Sequence, residues 1–326
     1  IVFCNMFSDT FKIEIENLLN RKSLTIKIPP EQQISIFPLN YIESYKTKEP
    51  NIHIKLFEKI QKYKAFIDLV PDKNKLKWNK LKLFTNLFEL VSYHNQAMNI
   101  YPLIHYIPLS RAYFKLHELI VNYDLIDNSQ QTIRYAGLAE GPGGFIECVI
   151  NYRKSRFQGT NDVIYCITLR SESENIPGWK KIQKLLEAKN RINLNIIYGK
   201  DDTGNLYNLE NILDFIEKVD EKVDFVTADG GMDYSTNFNY QEQMSFQLIF
   251  CEIVTALAVL KKGGHFVLKI FDIYTTVTLQ YLYILSNLFE EVILNKPYTS
   301  RPANSEKYVV CKNFLGIQKE LLNNLY

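Results

Sequence analysis

Ile133-Arg-Tyr-Ala-Gly-Leu-Ala139-Glu140-Gly141-Pro142-Gly143-Gly144-Phe145 reads as a short apolar strand running into a glycine-rich turn and then a helix that continues to Lys154. Glycine lets the backbone turn tightly and approach a ligand, and the first turn of the helix presents unpaired N–H groups. The same alternation repeats outward from this stretch. Strands are expected at 133–139, 163–168, 194–198, 223–228, 265–271, 292–295 and 308–311. Helices are expected at 110–122, 144–154, 178–188, 208–218, 241–260 and 276–288. Continuous apolar strands separated by helices indicate an α/β architecture, a parallel sheet covered on both faces. In such a sheet the ligand lies beyond the carboxyl ends of the strands, at the switch point.

The turn narrows the choice of ligand. A phosphate-binding P-loop ends in Gly-Lys-Ser/Thr, which is missing here, and a dinucleotide fingerprint needs a third glycine where this chain has Ile146. Both failures favour a ligand without phosphates at the turn, such as S-adenosylmethionine; a tight turn that holds nothing is the alternative. Two more strands end in ionisable groups. Asp224-Phe-Val-Thr-Ala228-Asp229-Gly230-Gly231 closes on an acid and two glycines, which is either a helix cap or a group aimed into the crevice. Gly263-Gly-His-Phe-Val-Leu268-Lys269-Ile-Phe271 carries a lysine inside an apolar strand, costly to bury unless paired or functional. Facing water on an edge strand, it would be ordinary. Partly desolvated, it could shed its proton near neutral pH and act as a base. Glu306 sits where the polar loop from Thr299 meets the last strand, and its spacing alone does not distinguish it from a solvated loop residue.

The bulk figures exclude more than they assert. A chain of 326 residues with 46% hydrophobic and 23% charged residues is an ordinary globular composition with room for a large core. The 38 Lys+Arg nearly balance the 36 Asp+Glu, so any nucleic-acid surface has to be local. Cys4, Cys148, Cys166, Cys251 and Cys311 form no C-x-x-C pair, and His53, His94, His105, His117 and His265 are as dispersed. That pattern fits a reducing compartment and argues against disulfides or a metal site. The apolar run Phe246–Leu260 is interrupted by Glu252 and too short to span a bilayer, so a soluble, intracellular protein with no membrane partner is expected. Ile1-Val-Phe-Cys-Asn-Met-Phe7 has neither an initiator Met nor the plan of a signal peptide, as in a chain that begins inside a longer reading frame. Residues 1 to about 100 read differently from the rest, with Pro-containing stretches between Lys-rich amphipathic segments at 54–66 and 76–93. Lys73, Lys75, Lys77, Lys80 and Lys82 surround Trp78, either as a solvated helix face or as a basic, aromatic RNA contact. Richness in Lys, Ile, Asn and Tyr suggests an A/T-rich genome, such as that of a large cytoplasmic DNA virus.

Five motifs carry a family resemblance. They are Ser110-Arg-Ala-Tyr-Phe-Lys115, Ala139-Glu-Gly-Pro-Gly-Gly-Phe-Ile-Glu147, Thr227-Ala-Asp-Gly-Gly231, Gly263-Gly-His-Phe-Val-Leu-Lys269 and Ser300-Arg-Pro-Ala-Asn-Ser-Glu-Lys-Tyr-Val-Val-Cys-Lys312. Together they resemble the FtsJ/RrmJ-type RNA 2′-O-methyltransferases and, through the last motif, the cap-specific mRNA branch. The resemblance runs from about Pro108 to Phe314 and leaves the first hundred residues unmatched. It implies a Rossmann-like S-adenosylmethionine-dependent methyltransferase domain at 105–315 with a mostly parallel sheet of about seven strands and helices on both faces. A mixed N-terminal region at 1–104 would precede it, and a tail helix at 316–326 would follow. It further implies a catalytic tetrad of Lys115, Asp229, Lys269 and Glu306, with capped mRNA as partner. Lys269 would take the ribose 2′-hydroxyl proton, its pKa depressed by the second lysine, while the carboxylates keep the cluster from being an unpaired buried charge. The cofactor would lie over Gly141, Pro142, Gly143, Gly144 and Phe145, with Ser110 and Asp229 beside it and Asp201 or Asp202 at the adenine. Asn239, Tyr240, Gln241, Arg301 and Asn304 would contact the substrate. Many related enzymes hold the adenosine ribose with an acid after the second strand. Here Thr168-Leu169-Arg170 stands there, and no residue is assigned to that contact.

Overall fold

The structure, a computed structural model, describes residues 24–26, 49–69, 71, 74, 86, 88, 107–157, 161–170, 178, 179, 181, 182, 193–232, 234, 238–302 and 304–326. The lysines around Trp78 and most of the helix expected at 178–188 lie outside these residues.

One sheet organises the described chain. Its strands are β1 (Leu24–Ile26), β2 (Arg134–Leu138), β3 (Val163–Ile167), β4 (Asn193–Ile197), β5 (Val223–Ala228), β6 (Leu260–Ile270), β7 (Phe289–Asn295) and β8 (Lys307–Phe314), in the spatial order β1-β7-β8-β6-β5-β2-β3-β4. The run from β4 to β6 is parallel throughout, while β8 lies antiparallel between β6 and β7. Seven strands match the expected set. The eighth, β1, is a three-residue addition on β7 that no alternation in the sequence announced. The chain leaves β2 toward β3 and β4, then crosses back to β5 and β6, so the switch point falls between β2 and β5.

Burial on both faces explains the apolar strands. Ala136, Leu138, Val226 and Ala228 pack on one side with helices α6 (Phe246–Val259) and α7 (Thr276–Leu288). Tyr135, Phe225 and Val267 pack on the other with α2 (Ala112–Tyr123) and α3 (Gly144–Lys154). The remaining α-helices among the described residues are α1 (Ile54–Lys64), α4 (Leu209–Lys218), α5 (Gln241–Met244) and α8 (Lys319–Asn323). Each fully buried aliphatic side chain contributes about 1.5–3 kcal/mol, so these two layers hold the sheet together between the helices.

Several boundaries differ from expectation. The helix expected at 241–260 is interrupted at Ser245, where Gln241 O accepts both the Ser245 N–H at 3.2 Å and its hydroxyl at 2.7 Å, a second bond of the kind that bends a helix. Its last residue, Leu260, opens β6, which therefore begins before His265, with a register shift against β5 near Val223. β7 begins at Phe289 and β8 runs on to Phe314, because their antiparallel pairing carries past the apolar centre. Among the described residues no helix is long and apolar enough to cross a membrane.

Candidate active site

The glycine turn lies at the switch point. Ala139 takes a left-handed φ of 52° at the end of β2, and its N–H donates to Ile167 O at 2.8 Å, tying the turn to β3. Gly143 has φ 101°, a conformation glycine adopts without steric cost, and caps the start of α3. Gly144 has no room for a side chain, since a Cβ there would run into the Ser110 hydroxyl. That hydroxyl is itself buried without a hydrogen-bond partner. A buried hydroxyl left unpaired beside free N–H groups at a helix start suits a ligand with a carboxylate or amine to place there. Ser110 and Gly144 therefore meet at the start of α3, with Gly141, Pro142 and Gly143 in the turn before it and Phe145 buried in the core behind it.

Beyond it stand the four expected catalytic side chains, brought from four distant segments. Lys115 lies on α2, Asp229 at the end of β5, Lys269 near the end of β6 and Glu306 just before β8. They form two interlocked pairs. Lys269 Nζ donates to Asp229 O at 2.8 Å and lies 3.2 Å from Asp229 Oδ1. Lys115 Nζ lies 2.7 and 2.8 Å from the two Glu306 carboxylate oxygens. Side-chain exposure is only 11–15% for all four, so water screens these charges weakly. Tyr308, paired with Lys269 in the β6–β8 ladder, donates its hydroxyl to Asp229 Oδ1 at 2.8 Å. Its ring lies 6.0 Å from Lys115 Nζ. Ser300 Oγ donates to Glu306 Oε1 at 2.8 Å.

The electrostatics correct one expectation. Burial works to lower the Lys269 pKa, but the charges of Asp229 and Glu306 outweigh it and hold Lys269 above the ordinary lysine value. The neighbouring lysine does not win, because Lys115 is paired with Glu306. Burial likewise works to raise the Glu306 carboxyl, yet Lys115 and Lys269 hold it down at about 2. By itself, then, the cluster is a balanced set of ions, with Lys269 an ammonium.

The expected substrate positions gather on one flank. Gln241 Oε1 accepts from Ser305 Oγ at 2.8 Å, and Asn304 Oδ1 accepts from Lys296 Nζ at 2.6 Å. Lys296 also donates to Glu306 O at 2.7 Å, which joins this loop to the cluster. Arg301 follows Ser300 in the same loop, and Asn239 is exposed ahead of Gln241. Tyr240 donates to Glu49 Oε2 at 3.4 Å, which sets the segment before α1 beside this flank. Phe57 of α1 packs edge-on against Tyr274, with ring centres 5.3 Å apart.

Asp201 and Asp202 stand apart, in the loop after β4. The Asp201 carboxylate accepts from Thr203 N, Thr203 Oγ1 and Asn208 Nδ2, and these bonds hold it well below the usual carboxylate range. Asp202 is ion-paired with Arg170, whose guanidinium lies 3.8 Å from the centre of the Tyr198 ring. Gly204 fits only as glycine, because a Cβ would strike Thr168 O. The loop is thereby fastened to the end of β3 where the acid of related enzymes is missing.

Reasoning from sequence missed Tyr308, Ser300 and Lys296, all within or beside the last motif. It also missed the roles of three buried acids, Glu140 after β2, Glu242 on α5 and Glu252 on α6. Glu242 accepts from Tyr274 N, Thr275 N, Thr275 Oγ1 and Thr278 Oγ1, fastening α5 to the start of α7.

A sheet that opens at its switch point onto a glycine turn, with lysines and carboxylates beyond the neighbouring strands, is the plan of a Rossmann-like methyltransferase. The chain belongs to the FtsJ-like methyltransferase family, which its residues 108–314 match. S-adenosylmethionine is the methyl donor of this family. Among curated proteins, the cap-specific mRNA (nucleoside-2′-O-)-methyltransferase 1 of Dictyostelium discoideum is 36% identical over 199 residues, covering 56% of this chain and 26% of that protein. The mouse protein of the same name is 39% identical over 186 residues, covering 55% of this chain and 21% of its own length. The chain thus spans about a quarter of the curated relatives it matches. Among solved structures, a ribosomal RNA methyltransferase from Plasmodium falciparum shares 22% identity at a TM-score of 0.43, covering 64% of this chain and 99% of that one.

Proposed function

We propose that the chain methylates the ribose 2′-oxygen of the first transcribed nucleotide of capped mRNA, with Lys115, Asp229, Lys269 and Glu306 as its catalytic four. The observation that carries this reading is the convergence of two lysine–carboxylate pairs from four separate segments beside a glycine turn with an unpaired buried hydroxyl. The names of the curated relatives support the choice of cap and of the 2′-oxygen. In this reading residues 105–315 are the methyltransferase domain, 1–104 a region that adds RNA contacts and 316–326 a tail. Asn239, Tyr240, Gln241, Arg301 and Asn304 hold the RNA, and the loop with Asp201 and Asp202 borders the adenine.

A sulfonium donor supplies an electrophilic methyl group and a positive charge. Lys269, an ammonium in the balanced cluster, becomes a base only after losing its proton, and a positive charge arriving nearby favours that loss. Neutral Lys269 then takes the 2′-hydroxyl proton as the oxygen attacks. Asp229 orients the Lys269 amine through its carbonyl and carboxylate, and Tyr308 fixes the Asp229 rotamer. Lys115 and Glu306 hold the other side of the ribose site. Low exposure keeps water from competing as acceptor or nucleophile.

The test is transfer of labelled methyl to short RNAs with and without a 5′ cap, by the wild type and by Lys269→Ala. Methylation that requires the cap and disappears in the variant is the expected result. Equal methylation of uncapped RNA would overturn the cap assignment and leave the tetrad standing. Absence of methylation on any RNA would point to a silent RNA-binding member of the family.

A further inference from the structure

Glu252 sits on α6 among Ile249, Ile253, Val254 and Ala256, and only 1% of its surface is exposed. A carboxyl in such surroundings is costly unless it is paired or neutral, and an apolar residue would fill the space at less cost. One oxygen, Oε1, accepts from the Gly230 amide at 3.1 Å, and the other has no hydrogen-bond partner. Gly230 follows Asp229 directly, and a Cβ at Gly230 would run into Glu252 Oε1. On the other side of the same turn, a Cβ at Gly231 would lie 3.4 Å from Lys269 Nζ. The turn that presents Asp229 is therefore wedged between a buried acid and the lysine.

We propose that Glu252 is a positioning residue for the methyl transfer: it props the Asp229–Gly230 turn through the Gly230 amide and, by gaining or losing one proton, sets how firmly Lys269 holds its own. This rests on the reading of Lys269 as the base. The groups that face Glu252 are Asp229 on β5, Lys269 on β6, Glu140 after β2, Tyr207 before α4, Tyr234 after β5 and Cys251 on its own helix. Burial pushes the Glu252 carboxyl up to about 8, with Asp229 adding to the rise and Lys269 opposing it. Neutral Glu252 leaves two lysines facing two carboxylates. Ionised, it adds a surplus negative charge that strengthens the hold of Lys269 on its proton. The transfer is thus expected to lose part of the gain that rising pH would otherwise bring.

The experiment follows the Cε resonance of Lys269 by NMR across pH, in the 326-residue chain carrying labelled lysine and assigned with Lys269→Arg. In the wild type the resonance should show an extra inflection near pH 8, before Lys269 itself titrates. In Glu252→Gln that inflection should vanish, and the lysine pKa should fall by roughly half a unit or more. The rising limb of kcat against pH, measured on capped RNA, should move down by the same amount. A single wild-type inflection, or titrations and pH profiles that coincide in the two proteins, would overturn the proposal. The wild-type titration decides even if the variant does not fold. A wild type with no methyl transfer would refute the function above, while the resonance would still judge Glu252.

Discussion

The two ends of the sheet handle buried charge differently. At the amino ends of the strands, Arg153 is 1% exposed and gives Nε and Nη2 to Asp162, Gln130 O and Gln131 O at 2.9–3.0 Å. Asp162 in turn accepts from Ile133 N at 2.8 Å, and Asp224 accepts from Arg134 N at 2.7 Å. These contacts join α3 to the starts of β2, β3 and β5, and Gln130, Ile133 and Asp224 also line a pocket at this end. At the carboxyl ends, lysines and carboxylates meet each other around a site, where Ser110 Oγ and Glu252 Oε2 lack hydrogen-bond partners, as Arg153 Nη1 does at the amino end. At one end an arginine clamps neighbouring segments together, and at the other two lysine–carboxylate pairs from four segments converge on one point.

That contrast can be broken by mutation. The largest effect is expected from Asp229→Ala, which removes the partner of both Lys269 and Tyr308 and should lower kcat by about a hundred- to ten-thousand-fold. Its donor affinity should be affected far less, and equilibrium titration with S-adenosylmethionine checks this. At the opposite end Arg153→Ala strands the Asp162 carboxylate and should cost about 3–5 kcal/mol of stability in urea melts. The folded fraction of that variant should keep its kcat. Gly144→Ala pushes a methyl group against Ser110 and should raise KM for the donor more than it lowers kcat.

A smaller and sharper test uses pH, since both ends weaken in acid over different ranges. His265, at the amino-end side of β6, is pushed down to about 4 by burial, with Lys312 and Lys261 adding to the fall. Its neutral form stabilises the fold above its ordinary value of 6.5, and that contribution is lost as pH falls from 6.5 toward 4. Glu306 resists its burial, held at about 2 by Lys115 and Lys269, so its contribution is present above 4.5 and lost between 4.5 and 2. Thermal melts of His265→Gln should flatten the first range, and those of Glu306→Gln the second.

What could be read from the sequence follows the same division. The parallel strands were legible because burial on both faces leaves them continuously apolar, as at Val163–Ile167 and Val223–Ala228. Lys269 was legible as a charge in such a strand. Lys115 was not, since a lysine on a half-buried helix looks like any other, and only the family resemblance singled it out. Glu252 was visible merely as a break in an apolar run, because nothing in the pattern of α6 says that its side chain reaches Gly230. β1 escaped because three residues paired to an edge strand have no period to detect. The raised pKa of Lys269 could not be anticipated either, as it depends on which carboxylate each lysine meets across the fold.

The central claim is that Lys269 is the base at a site that binds donor without it. Single-turnover methyl transfer to a capped oligonucleotide, with mass-spectrometric location of the methyl group, should be made on wild type and Lys269→Ala at saturating, separately measured donor binding. The expected result is a 2′-O-methyl on the first nucleotide in the wild type and a loss of about a hundred- to ten-thousand-fold in the variant, with donor affinity retained. A variant that transfers at the wild-type rate, or a methyl group found elsewhere than on the 2′-oxygen, would contradict the claim.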